Sequence, residues 1–138
     1  MRNTSETEKF LEFLVKERNM LLHGSRTDFN GTINPKYSKG GIVSVTDVPQ
    51  IALLNAILSD DVKLHFGTLI DQNHLITAEG FNDEKIGNGF VYLVDRRLFA
   101  PGSYQSNTIV PILGKLPVRK YDFVYPVYDL DHQKLIIG

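Results

Sequence analysis

The chain has no cysteine, no tryptophan and two methionines in 138 residues. Without cysteine there is no disulfide framework, no thiolate zinc site and no cysteine nucleophile. Nothing in it requires an oxidising compartment, and a cytoplasmic location is the expectation. A charge excess is also missing. Fifteen Lys and Arg stand against sixteen Asp and Glu, a net charge of −1. Nucleic-acid binding needs a basic face, so nucleic acid is not an expected partner. The longest apolar-rich stretch, residues 48–59, falls short of the ~20 residues that a membrane span requires. No basic-then-apolar leader is read, and no membrane partner is expected. There is no internal repeat, low-complexity tract or linker, which makes residues 1–138 one domain.

Hydrophobic residues make up 42% of the chain and charged residues 22%, enough apolar material for a packed core and too little charge for disorder. Chemistry then rests on four His, six Tyr, the hydroxyls and the carboxylates.

Thr4 or Ser5 caps a predicted first helix over 5–18. Ser5-Glu6-Thr7-Glu8 fits a capping box, and Phe10, Leu11, Phe13, Leu14 and Val15 form its apolar stripe. Asn19 breaks the helix. Met20–His23 reads as a short buried strand closed by Gly24 and Ser25. A turn-rich stretch over 26–41 is long for a connection, and such loops are often functional. A second strand spans 41–45. Thr46 or Asp47 then caps a helix with Pro49 in its first turn, apolar nearly all round and therefore buried. From there the pattern shifts to strands, at 62–70, 74–78, 89–94, 107–113, 122–130 and 133–137, with a terminal hairpin turn at Leu130-Asp131-His132-Gln133. Helices first and strands afterwards predict an α+β domain with mainly antiparallel sheet.

Three segments carry candidate chemistry. In Leu21-Leu22-His23-Gly24-Ser25, an imidazole ends a buried strand beside a glycine that lets a ligand approach the backbone. The bland reading is an internally bonded histidine and a turn. In Gly40-Gly41-Ile42-Val43-Ser44-Val45-Thr46-Asp47, Ser44 and Thr46 share one side of a strand. Capping alone explains Thr46 and Asp47, while Ser44 in an apolar strand asks for another reason. Ser103-Tyr104-Gln105-Ser106-Asn107-Thr108 is a polar cluster entering a strand, or simply a solvated loop. His65 and His74 fall on predicted strands, but two ligands without a matching carboxylate make no metal site, and none is predicted. Arg96-Arg97 and Arg119-Lys120 read as solvated faces, Asp60-Asp61 as a helix exit and Asp83-Glu84 as a turn. Tyr121, Tyr125 and Tyr128 read as packing residues.

In this order and spacing the three segments resemble the ADP-ribosyltransferase superfamily. LLHGSRTDF with its following INP is similar to the first motif, GGIVSVTDVPQIALLNAIL to the second, and GFVYLVDRRLFAPGSYQSNTIVPI to the stretch leading into the third. The likeness covers about residues 20–112. It implies a split antiparallel sheet with two main helices in the N-terminal half, and NAD as the substrate whose ADP-ribose passes to an acceptor that the sequence does not name. It assigns His23 to ribose hydroxyls, the Gly24 backbone to the nicotinamide carboxamide, and Ser44, supported by Thr46, to the nicotinamide pocket. Ser25 and Arg26 fall near the ribose or pyrophosphate, and Tyr37 covers the site as a lid. The chain departs from the family in two places. Ser44 stands where many members have a stacking Tyr. Gln105 matches the start of a Gln-x-Glu pattern, which puts Asn107 where the catalytic Glu belongs. A missing carboxylate costs about 3–4 kcal/mol of stabilisation for the developing cation, or roughly 10²–10³-fold in rate. Asp95 is a distant substitute. The alternative is a degenerate member that binds without turnover, and a third reading is an unrelated α+β domain in which His-Gly is coincidental.

Overall fold

A computed structural model describes residues 5–66 and 76–137. Helix α1 (Glu6–Glu17) starts at Ser5, whose hydroxyl accepts from the Glu8 N–H at 3.1 Å and donates to the Asp122 carbonyl at 2.6 Å. The reciprocal half of the predicted capping box is absent. The Glu8 side chain turns inward and accepts from Tyr125 OH and Gln50 Nε2, at 2.8 and 3.0 Å. Only Leu11 and Leu14 of the predicted stripe are buried with it, and Phe10 and Phe13 stay exposed on the flank. A helix needs only a narrow stripe against its neighbours, and this stripe is wider than the contact. Thr4 lies outside the described residues.

Asn19 adopts a left-handed conformation (φ 56°) and turns the chain into β1 (Met20–Ser25). Gly24 and Ser25 belong to the strand and do not end it. It pairs antiparallel with β6 (Gly89–Asp95), which pairs antiparallel with β9 (Gly114–Val118). The sequence reading missed β9 because it contains Pro117. The strand lies at the sheet edge, where a missing N–H is tolerated. Two small ladders flank this sheet. They are β2 (Thr32–Ile33) with β8 (Val110–Pro111), and β3 (Val43–Ser44) with β7 (Gln105–Ser106). The continuous strand predicted over 107–113 is therefore interrupted. A fourth, mixed sheet runs β11-β10-β5-β4, from β4 (Lys63–Phe66), β5 (Ile76–Glu79), β10 (Val127–Asp129) and β11 (Lys134–Ile137). Its β10–β5 pair is parallel. The predicted strand over 122–130 shrinks to β10, preceded by a 3₁₀ turn at Lys120–Asp122. The predicted turn at Leu130-Asp131-His132-Gln133 joins β10 to β11 as expected. His74 and the predicted strand residues 67–70 and 74–75 lie outside the described residues. Among the described residues, no helix is long and apolar enough to cross a membrane. The architecture is α+β, with two helices and several small, mostly antiparallel sheets.

Helix α2 (Pro49–Ile57) lies in the centre. Ala52, Leu53, Leu54, Ala56 and Ile57 are all buried, as the run of apolar residues predicts. Its start differs from expectation. Val48 is the N-cap, with no side-chain cap. The Thr46 hydroxyl accepts from the Val48 N–H at 3.0 Å, and Asp47 accepts from Tyr104 OH at 3.2 Å. Pro49 removes one of the donors that a cap would otherwise satisfy. The helix presses its Ala52 and Ala56 turns onto two glycines of the sheet. A Cβ on Gly24 would stand 1.9 Å from the Ala52 carbonyl oxygen, and one on Gly89 would stand 1.7 Å from that of Ala56. Close helix-to-strand packing therefore requires both glycines. One core joins α1, α2 and the mixed sheet. A second, around Leu21, Ile33, Val43, Tyr92 and Val110, fills the opposite face of β1 and β6.

Candidate functional site

The side chains of β1 alternate between these two cores. Leu22 packs toward α2, whereas His23 points to the other face beside Tyr92, its register partner on β6, with ring centroids 6.1 Å apart. His23 is 9% exposed. Its Nδ1 lies 2.6 Å from the Ser44 carbonyl oxygen. A carbonyl can only accept, so Nδ1 carries the hydrogen. Burial lowers the imidazole below its ordinary value and outweighs the opposing pull of the Ser44 carbonyl and the Asp60 charge. The ring is accordingly neutral at pH 7, and its Nε2 is a hydrogen-bond acceptor. Among the described residues nothing bonds to that nitrogen.

The backbone next to it is equally exposed to a ligand. Leu22 exchanges both of its backbone hydrogen bonds with Thr46, each at 2.8 Å. In an antiparallel strand these groups alternate sides, so the N–H and C=O of Gly24 also turn away from β6 and toward Ser44. The Leu22–Thr46 bridge is isolated: Ser44 pairs instead with Gln105 of β7, and its carbonyl meets His23 Nδ1, so that an opening is left beside Gly24. The glycine is thus fixed by helix packing behind it, while its peptide edge faces the opening.

This opening is a cleft of about 390 Å³, within the range of small-molecule sites. His23, Gly24, Ser25 and Ser44 form its floor. Ile51 and Asn55 on α2, with the core residue Leu58 just past its end, form one wall. The segment after the helix forms the other, with Asp60, Lys63 and Phe66. Tyr37 stands at the rim, 64% exposed, in the 3₁₀ turn Pro35–Tyr37 that Asn34 caps. Ser25 is partly committed, since its hydroxyl accepts from the Thr27 N–H at 3.0 Å.

Of the sequence candidates, His23, Gly24, Ser25, Tyr37 and Ser44 converge on the cleft. Gln105 is the register partner of Ser44 and shares its face of the β3–β7 ladder, beside the lining residues and not among them. Asn107 is exposed two residues further on, outside the lining. Arg26 is turned away, with its guanidinium against Gly87. Thr46 is occupied by its ladder bonds and its turn. Asp95 lies elsewhere, bonded to Arg97. His65 pairs with Glu79 at 2.5 Å on the exposed face of the mixed sheet.

Three residues that the sequence did not single out shape the site. Tyr92 is wholly buried; its hydroxyl donates to the Thr27 carbonyl at 2.6 Å and accepts from the Phe29 N–H at 2.7 Å. It pins the chain that leaves Ser25. Lys115 adds a second tether, paired with Asp28 and 4.6 Å from the centre of the Phe90 ring. Asp60 brings a carboxylate into the wall. A tyrosine within a buried strand signals a required hydroxyl partner, whereas nothing in the sequence distinguishes Asp60 from an ordinary helix exit.

No family model matches the chain, and neither a curated protein nor a solved structure matches it.

Proposed function

We propose that the cleft binds NAD and that the protein is an ADP-ribosyltransferase-like enzyme. The observation that carries this reading is the pairing of a neutral imidazole acceptor with an open peptide edge, at His23 and Gly24, on the floor of one cleft. An acceptor nitrogen suits a ribose hydroxyl, which must donate to it. A peptide N–H and C=O side by side suit a primary carboxamide, which offers one acceptor and one donor. Tyr37 and Phe66 put aromatic surface at the mouth for a planar ring, and Lys63 puts a cation there for the pyrophosphate. Ser44 contributes its hydroxyl, with the Gln105 amide next to it across the ladder. Arg26 and Thr46 have no part in this arrangement.

The acceptor of ADP-ribose is left open, and water is the simplest. A second reading is a degenerate member that binds the dinucleotide without turning it over, since neither Gln105 nor Asn107, the two residues assigned to catalysis from the sequence, lines the cleft.

Isothermal titration with NAD beside a nicotinamide-release assay tests both readings. The informative variant is His23→Asn. Its amide can still donate to the Ser44 carbonyl, while the Nε2 acceptor is gone. NAD affinity should fall about tenfold or more, as expected for a lost ribose bond, with the fold retained by circular dichroism. Binding without nicotinamide release selects the second reading. A wild-type protein that gives neither heat nor a thermal shift with NAD overturns both.

A further inference from the structure

A second cavity, of about 550 Å³, lies apart from the cleft and shares no described lining residue with it. One of its walls is β11, whose residues Lys134, Leu135, Ile136 and Ile137 all line it. Successive side chains of a strand point to opposite faces, so a cavity that touches four residues in a row runs along the strand's edge. That edge has no ladder partner among the described residues, because β11 ends its sheet in the order β11-β10-β5-β4. The register says which groups it presents. The Leu130 N–H donates to the Ala78 carbonyl of β5, and peptide groups alternate sides along a strand, so Asp129 turns its own toward β11. Lys134, opposite Asp129, turns back toward β10, and Leu135 turns its N–H and C=O outward. The register shift in this ladder comes only after Leu135.

The other walls are held without help from β11. The Lys120–Asp122 turn is tied to the start of α1, where Ser5 and Thr7 donate to the Asp122 carbonyl and carboxylate at 2.6 and 2.9 Å. The 3₁₀ turn Asp83–Lys85 is tied to the end of α2 by the Ser59 N–H, which donates to the Lys85 carbonyl, and by the Leu58–Ile86 bridge. The gap beside the edge is therefore built into the fold. Its floor is apolar, with Phe81, Phe123 and Ile137 buried. Its rim is cationic: Lys120 and Lys134 are exposed there against a single carboxylate, Asp83. Lys120 lies 5.4 Å from the centre of the Tyr121 ring, and among the described residues neither lysine is in an ion pair. The edge of the other sheet is built differently. There β9 carries Pro117, which withdraws a donor, whereas β11 has no proline and its Leu-Ile-Ile run suits a strand.

We propose that this groove takes an extended acidic peptide of another protein, which adds to the mixed sheet beside β11. The peptide backbone bonds the Leu135 N–H and C=O, its apolar side chains meet the floor, and its carboxylates meet Lys120 and Lys134. Charge selects the occupant. A second copy of β11 would bring its own lysines to a groove that already holds two, whereas an acidic strand is complementary. The site is separate from the NAD cleft, and its test does not depend on that reading.

Fluorescence anisotropy on the full chain tests this with three short labelled peptides, capped at both ends. One alternates valine and glutamate, one alternates valine and lysine, and one is the glutamate peptide N-methylated along its backbone. The glutamate peptide should bind, more weakly as salt rises, and the lysine peptide at least about tenfold more weakly. N-methylation should abolish binding, because it removes the donors that a strand needs. Leu135→Pro withdraws only the outward N–H and should lower affinity about tenfold or more, while Leu135→Ala, which keeps that N–H, should lose less. Lys120→Glu combined with Lys134→Glu should transfer the preference to the lysine peptide. Hydrogen exchange should show the Leu135 amide gaining protection when the glutamate peptide is present. Circular dichroism checks each variant, and the peptide comparisons on wild type stand even if Leu135→Pro fails to fold. No binding of the glutamate peptide, or equal binding of the lysine peptide, overturns the proposal. Binding that survives N-methylation also overturns it, and makes the groove a pocket for anionic side chains. A dimer in sedimentation velocity that Leu135→Pro dissolves would make the occupant a second copy of this chain and overturn it as well.

Discussion

Tyr92→Phe removes a single oxygen, and the structure sets its cost. The hydroxyl satisfies two backbone groups at once, the Thr27 carbonyl and the Phe29 N–H. The Phe29 bond is buried, so an amide stranded there costs about 1–3 kcal/mol. Thr27 is only partly buried and water can replace some of its loss, which adds about 0.5–1.5 kcal/mol. The phenyl ring keeps its contacts with His23 and Phe29, so no cavity contribution arises. A total of roughly 2–4 kcal/mol is a large share of the ~5–15 kcal/mol that holds a domain folded. For a chain of this length it lowers the melting temperature by roughly 10 °C. Thermal and urea unfolding measure the loss, and hydrogen exchange localises it, with protection of the Phe29 amide falling furthest. Tyr128→Phe, at a partly exposed tyrosine, is the control and should change stability by less than about 0.5 kcal/mol. A Tyr92→Phe protein that melts within about 2 °C of wild type would show that these two bonds do not anchor the loop.

Gly24→Ala forces a methyl group into the Ala52 carbonyl, so α2 must shift; a loss above about 3 kcal/mol is expected in urea unfolding, and a mild effect would mean the helix is not seated as described. Glu8→Ala strands Tyr125 OH and Gln50 Nε2 between α1 and α2 and should cost about 2–4 kcal/mol by the same measurement. In Asp129, burial pushes the carboxyl up, but the His132 ring and the backbone N–H groups of His132 and Asp131 outweigh it and hold the group below its ordinary value. Its contribution is therefore complete above the unfolded value near 3.8 and lost as pH falls through the lower folded value; Asp129→Asn should flatten the acid end of the stability profile. His23, lowered by burial, must stay neutral to accept a hydroxyl. NAD affinity should be level between about pH 7 and 8 and decline as the ring protonates below about pH 6.5, and titrations at stepped pH check the slope.

Residues whose role is set by local pattern were readable in the sequence. Ser5, the apolar run of α2, the β6 strand and the turn before β11 follow from capping, periodicity and turn chemistry, and all stand where the sequence places them. Residues whose role is set by distant neighbours were not. Glu8 fits a capping box, yet its carboxylate serves Tyr125, more than a hundred residues away. Pro117 argues against a strand until the strand proves to be an edge. At the cleft, His23, Gly24 and Tyr37 were reached through the family resemblance, and only Ser44 stood out locally, as a hydroxyl within an apolar strand. Arg26 was misplaced because the direction of a long side chain depends on the space that Gly87 leaves for it. Asp60 was passed over because a carboxylate after a helix has an ordinary explanation, and only the packing of the second sheet makes it part of a wall.

The cleft is a seam. One bank belongs to β1 and Ser44, and the other to β4 of the mixed sheet, with α2 as the keel between them. A guest touching both banks acts as a rivet, because it gains contacts only while the two sheets stay in register. Its affinity is then recorded in the melting of the whole chain, by about 2.7 kcal/mol at a hundredfold excess over its Kd. Any small molecule able to bridge the seam therefore announces itself through heat resistance, whatever chemistry follows.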